Sequence, residues 1–221
     1  MKKALALLFF ISASILAFSQ NDFSDYQGLR NSGTLNEDFL MSSMDKFLSQ
    51  KDTINKAEMT RGDQRVTEGF LLGSNYELDR YFFNGRILIN DEVGNYVNQV
   101  LDELLKDEPE LRSELRVYIS RDPNVNALAN DRGVILVNLG LFNKIRTEAE
   151  LAFILAHEVT HYKKKHNLSS TLNTYKVTAT NGSQAVRTLD GLLLRKHSYN
   201  RKLEFVADSY GAQLILDSDY S

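Results

Sequence analysis

The segment His157-Glu158-Val159-Thr160-His161 sets two imidazoles four residues apart, with a carboxylate directly after the first. On a helix, four residues make one turn plus a small offset. Both rings then leave one face and can bind a single ion, and Glu158 projects beside them towards the ion's open side. Zinc bound in this way polarises a water and stabilises a developing oxyanion, while the carboxylate takes the water's proton and delivers it to a leaving amine. The chemistry within reach is amide hydrolysis with no covalent intermediate.

Two imidazoles leave a catalytic zinc site one protein ligand short. A third histidine ten residues after the first, behind a glycine turn, is one solution, but Lys164 and Asn167 occupy the positions where the glycine and histidine would stand. His166 misses that register by one residue and, on a continuing helix, is turned away by about 100°. The other solution is a glutamate from a later helix. After His161 the carboxylates are Asp190, Glu204, Asp208, Asp217 and Asp219, and Glu204 is the one glutamate. It stands in Leu203-Glu204-Phe205-Val206-Ala207-Asp208, helical in composition, with Asp208 one turn further along the same face. Asp208 is placed to accept a hydrogen bond from the non-ligating nitrogen of a zinc histidine, which fixes that ring's tautomer. Gly211 lies on the same side, where a missing side chain lets two helices approach.

Composition narrows the alternatives. The 221 residues are 43% hydrophobic and 25% charged, the balance of an ordinary globular protein. A net charge of −3 and a pI near 5.8 provide no field to gather a polyanion, so nucleic acid is not an expected partner. There is no cysteine, so any metal must be bound by His, Asp or Glu, and there are only four histidines.

Lys2 and Lys3 precede an apolar run from Ala4 to Phe18, too short to span a bilayer but the right length for a signal peptide. Ala17 and Ser19 supply the small residues of a cut before Gln20. Residues 1–19 are thus expected to be a signal peptide, with an uncleaved anchor as the alternative, and the mature chain to be periplasmic or secreted. No cysteine follows for lipid attachment.

Residues 20–90 form an N-terminal segment that is partly mobile in expectation: polar from Asn21 to Gly33, helical in spacing from Phe39 to Leu48, then sparse in anchoring side chains from Gln50 to Glu68. Asn84-Gly85 fits a tight hairpin, and a helix ending at Gly85 nearly as well. Val93, Tyr96, Val97, Val100, Leu101, Leu104 and Leu105 mark an amphipathic helix, with Pro109 just beyond its end. Leu115, Val117 and Ile119 alternate as a strand, and Val134 to Val137 is a second β-rich run, which together predict a small sheet. Thr147 and Glu150 form a capping box opening a helix that runs on towards His166, apolar all round from Leu151 to Ala156. The polar stretch from Ser169 to Thr188 is expected to connect the two ligand-bearing helices. Lys163 to Lys165 suit a helix C-terminus.

Between about Asp91 and Gly211 the sequence resembles the integral-membrane and periplasmic zinc metallopeptidases that include the heat-shock protease HtpX, the CAAX prenyl protease and the BepA-like β-barrel assembly-enhancing protease. The resemblance is carried by Glu150-Leu151-Ala152 through His157-Glu158-x-x-His161, with His166 behind, and by Arg201-x-x-Glu204-x-x-Ala207-Asp208-x-x-Gly211. Asn126-Ala127-Leu128-Ala129, followed by Val134 to Leu141, looks like the family's strand and turn before the active-site helix. The resemblance implies a gluzincin: a zincin-like, predominantly helical α+β fold over residues 91–221, with a small sheet beside the active-site helix. It implies one Zn2+ per chain on His157, His161 and Glu204, with Glu158 as general base. The implied substrates are unfolded or misassembled envelope polypeptides, with envelope or outer-membrane proteins as partners. An extended substrate is expected to pair with a sheet edge near Val134 to Val137, contacting Asn126, Ala127 and Ala129. Family members continue past the glutamate helix with a segment that closes the cleft, whereas this chain stops ten residues after Gly211, so the domain is expected to be minimal or incomplete there. A non-catalytic, zinc-stabilised adaptor for extended peptides is the alternative function.

Overall fold

The computed structural model describes residues 42–52, 54, 57–180 and 201–220. The expected signal peptide, the polar lead-in to Gly33 and the start of the expected helix from Phe39 lie outside the described residues, as do residues 181–200.

Ser42 and Thr60 accept N-terminal backbone N–H bonds as caps of two helices, α1 (Ser43–Lys51) and α2 (Arg61–Phe83). They pack together through polar anchors that hydrophobic periodicity does not reveal. Lys46, 2% exposed, pairs with Asp79 at 2.5 Å, and fully buried Asn75 donates to Gln50 and accepts from Arg132. At Asn84-Gly85 the helix reading holds: α2 stops at Phe83 and Gly85 turns the chain with φ 71°. The next residues, β1 (Ile87–Leu88), pair with a later strand and not with the residues before the turn.

Asp91 caps α3 (Glu92–Leu104), which buries Val97, Val100, Leu101 and Leu104 as the spacing predicts but leaves Tyr96 exposed, its hydroxyl donating to Glu148, and Pro109 opens the short α4 (Pro109–Glu114). Three strands follow: β2 (Arg116–Ser120), β3 (Ala127–Ala129) and β4 (Val134–Asn138). The sheet order is β1-β2-β4-β3, with β2 and β4 parallel and the other pairs antiparallel. A strand apolar from Val134 to Val137 must be covered on both faces, and β4 is. Ile135 and Val137 join Val117, Ile119 and the buried side of α3 in the main core, while Val134 and Leu136 meet Leu78, Phe82 and Ile87 on the opposite face. Gly133, at φ 75°, closes the β3–β4 turn where a Cβ would strike the Glu114 carbonyl.

A single-turn 3-10 segment (Leu139–Asn143) leads to α5 (Glu148–Lys163), opened by the expected Thr147–Glu150 capping box. Leu151, Ala152, Leu155 and Ala156 are buried, but Phe153 is not, so the apolar stretch is less completely enclosed than its composition suggests. The helix also stops short of His166. Lys165 takes a left-handed φ of 50°, and a new helix, α6 (His166–Thr180), starts there and packs on α2. The last helix, α7 (Arg201–Leu216), lies along α5. The result is a predominantly helical α+β fold with a small mixed sheet beside α5. Among the described residues no helix is long and apolar enough to cross a membrane.

Candidate metal centre

α5 brings His157 and His161 to one face, and the contact with α7 supplies the third side. That contact depends on Gly211: a Cβ there would stand 3.1 Å from the His157 backbone nitrogen and 3.4 Å from the Ala156 carbonyl carbon. With the glycine, the helices close to the distance at which Glu204 reaches both rings. Its Oε2 lies 3.4 Å from His157 Nε2 and its Oε1 lies 3.6 Å from His161 Nε2, while the two Nε2 atoms are 3.0 Å apart. One ligand atom from each of His157, His161 and Glu204 falls within 4.8 Å of the others. Burial raises the Glu204 carboxyl above its ordinary pKa, opposed by the neighbouring His157.

These residues fit a small divalent cation. Two ring nitrogens and a carboxylate oxygen converge, and their lone pairs repel one another unless a cation or a proton lies between. Oxygen and nitrogen donors about 2.0–2.2 Å from a tetrahedral centre stand roughly 3.3–3.5 Å apart, close to the separations seen here. The far side of each ring is engaged as well. His157 Nδ1 is 2.9 Å from Asp208 Oδ1, one turn beyond Glu204 on α7, a geometry in which Nδ1–H donates and Nε2 keeps its lone pair. Asp208→Ala is accordingly expected to lower zinc affinity about 10- to 100-fold, measured by competition with a chromophoric chelator; a loss as large as that from removing Glu204 would place Asp208 in contact with the metal.

Glu158 projects beside the cluster, where its Oε2 accepts the Ala129 N–H at 2.7 Å. Burial pushes its pKa up to about 6, against the opposing pull of His157 and the Ala129 hydrogen bond. His166, which the sequence register excludes as a ligand, folds back against His161 because α5 has ended. It is 5% exposed, and burial lowers its pKa. Asn167 was not singled out for the site by sequence, yet its Nδ2 donates to the Ala129 carbonyl at 3.0 Å. No glycine announces the left-handed turn that brings both residues inward.

The expected substrate edge requires correction. β4 lies between β2 and β3, so residues 134–137 present no free edge; their unbroken apolarity reflects burial on two faces. The edge strand next to the site is β3. The bonds Asn138 N–H to Asn126 C=O and Asn130 N–H to Val134 C=O fix the antiparallel alternation, which turns the backbone groups of Ala127 and Ala129 outward and commits Asn126 inward. At Ala129 both outward groups are taken, by Glu158 and Asn167. Of the three residues expected at the edge, Ala127 is the one whose N–H and C=O face outward beyond these bonds.

The model of peptidase family M48 matches residues 92–221, more than half of the chain. The chain belongs to peptidase family M48. As an M48 member it is a metallopeptidase, a hydrolase that employs a divalent metal, generally zinc. This M48 chain is 32% identical over 88 residues to a putative beta-barrel assembly-enhancing protease of Vibrio cholerae, a match covering 39% of this chain and 18% of that protein. It is 31% identical over 111 residues to the mitochondrial metalloendopeptidase OMA1 of Arabidopsis thaliana, covering 47% and 23%. A beta-barrel assembly-enhancing protease of Yersinia pestis is 30% identical over 71 residues, covering 32% and 15%. The aligned part is thus less than a quarter of the length of each relative.

Proposed function

We propose that this M48 peptidase is an exported zinc endopeptidase that hydrolyses unfolded or misassembled envelope polypeptides. The observation that carries the catalytic half is the convergence of His157, His161 and Glu204 with Glu158 at their side. His157, His161 and Glu204 would hold one zinc ion per chain. Zinc bound there supplies Lewis acidity, polarising the scissile carbonyl and acidifying a water. Glu158 accepts that water's proton and returns it to the leaving amine nitrogen. Burial raises the Glu158 carboxyl above its ordinary pKa, which favours its acting as a proton acceptor. The Ala129 N–H restrains Glu158 so that the carboxylate does not swing into the metal cluster. An extended substrate lies along the outer edge of β3, bonded through Ala127, with Asn126 and Ala129 flanking it. Backbone pairing of this kind tolerates varied sequences.

The envelope assignment is supported by the apolar N-terminal run ending in Ala17-Phe18-Ser19 and by the assembly-enhancing proteases among the relatives. The experiment compares one outer-membrane β-barrel protein in two states, unfolded in urea-diluted buffer and folded in detergent micelles, as substrate for the zinc-loaded chain. The unfolded form should be cut at least about tenfold faster, because an edge strand can pair only with backbone that is not already paired. Equal rates on both forms, or cleavage of the folded form alone, would contradict the substrate assignment.

A further inference from the structure

α5 does not continue to His166. It ends at Lys163, and Lys165 adopts φ 50°, a left-handed conformation that a non-glycine residue rarely takes. The turn places the first residue of α6 against the back of His161. The two rings meet edge to face, centroids 4.9 Å apart and planes at 85°, with His166 Nδ1 3.1 Å from His161 Nδ1.

Two ring nitrogens at that distance share one proton, and its location decides what the opposite side of His161 can do. With the proton on His161 Nδ1, Nε2 keeps its lone pair and faces the cluster with His157 and Glu204. With the proton on His166 Nδ1, neutral His161 carries its own proton on Nε2, which then points at His157 Nε2 and Glu204 Oε1 and blocks a metal. We propose that His166 is a positioning residue that accepts the Nδ1–H of His161 and so holds this imidazole in the metal-binding tautomer. The inference rests on the zinc reading of the cluster.

Each ligand histidine is then oriented from a different element. His157 is held by an exposed carboxylate on α7, His161 by a buried imidazole on α6. The first turn of α6 is itself tied to the sheet, where Asn167 Nδ2 donates to the Ala129 carbonyl. One turn therefore braces both His161 and the strand residue whose N–H holds Glu158.

The test uses the full chain, with zinc as the probe in competition with a chromophoric chelator and imidazole 15N shifts recorded on the zinc-stripped protein. His166→Phe keeps an aromatic ring but offers no acceptor, so zinc affinity should fall about 10- to 100-fold and His161 should move from the Nδ1–H tautomer towards a mixture with Nε2–H. His166→Asn, whose Oδ1 can take the place of Nδ1, should recover most of the loss. Zinc affinity within twofold of wild type in His166→Phe, with the His161 tautomer unchanged, would overturn the proposal. So would an Nε2–H tautomer at His161 in the zinc-stripped wild type, a reading that does not depend on any variant folding. His161→Ala serves as the separate arm: retention of zinc there would refute the ligand assignment itself, and a loss there alongside an unaffected His166→Phe would refute only the role of His166.

Discussion

Peptide hydrolysis by Glu158→Gln should fall about 10²- to 10⁴-fold, while zinc content stays at one per chain and thermal stability stays near wild type. Glutamine keeps the shape of the side chain, and its amide oxygen can still accept the Ala129 N–H that Glu158 Oε2 accepts at 2.7 Å. What it cannot do is take a proton. The measurement is kcat on a fluorogenic peptide beside metal analysis of the same sample. This substitution separates an enzyme from a zinc-stabilised adaptor, since an adaptor needs the three ligands but not the base. Equal hydrolysis by wild type and variant would trace the activity to a contaminating protease.

Glu204→Ala should weaken zinc binding by more than about 100-fold, beyond the 10- to 100-fold typical of a partner outside the coordination sphere. The remaining Nε2 atoms of His157 and His161, 3.0 Å apart, would leave the ion under-coordinated. Hydrolysis at limiting zinc should vanish with occupancy. Competition titration against wild type checks the affinity, and an unchanged zinc constant would remove Glu204 from the ligand set.

Much of this centre could be read from residue spacing because helical geometry is local: four residues place His157 over His161, and the same interval relates Glu204 to Asp208. Gly211 was legible for a similar reason, its missing side chain implying a close helix contact that the structure places at the His157 backbone. The features that escaped are those created by the chain turning or by elements meeting. Lys165 is left-handed without a glycine to signal it, so the sequence predicts a helix running on towards His166 and gives no sign of that ring's packing on His161. Val134 to Val137 reads as strand, but its partners on both sides are set by tertiary pairing, and an edge was expected where the centre of the sheet lies. Likewise, the spacing of Met44, Phe47 and Leu48 marks α1 as a helix, but Met44 and Leu48 are exposed, and what joins α1 to α2 is polar contact through Lys46, Asp79 and Asn75, which apolar spacing does not report.

The most direct test of the account is to strip the full chain of metal with a chelator, dialyse the chelator away, and follow hydrolysis of an unfolded polypeptide as zinc is returned. Activity should be absent at the start, rise in proportion to added zinc and level off at one equivalent per chain, as expected if His157, His161 and Glu204 form a single site. Full hydrolysis before any zinc is added, or none after a complete equivalent has bound, would contradict it.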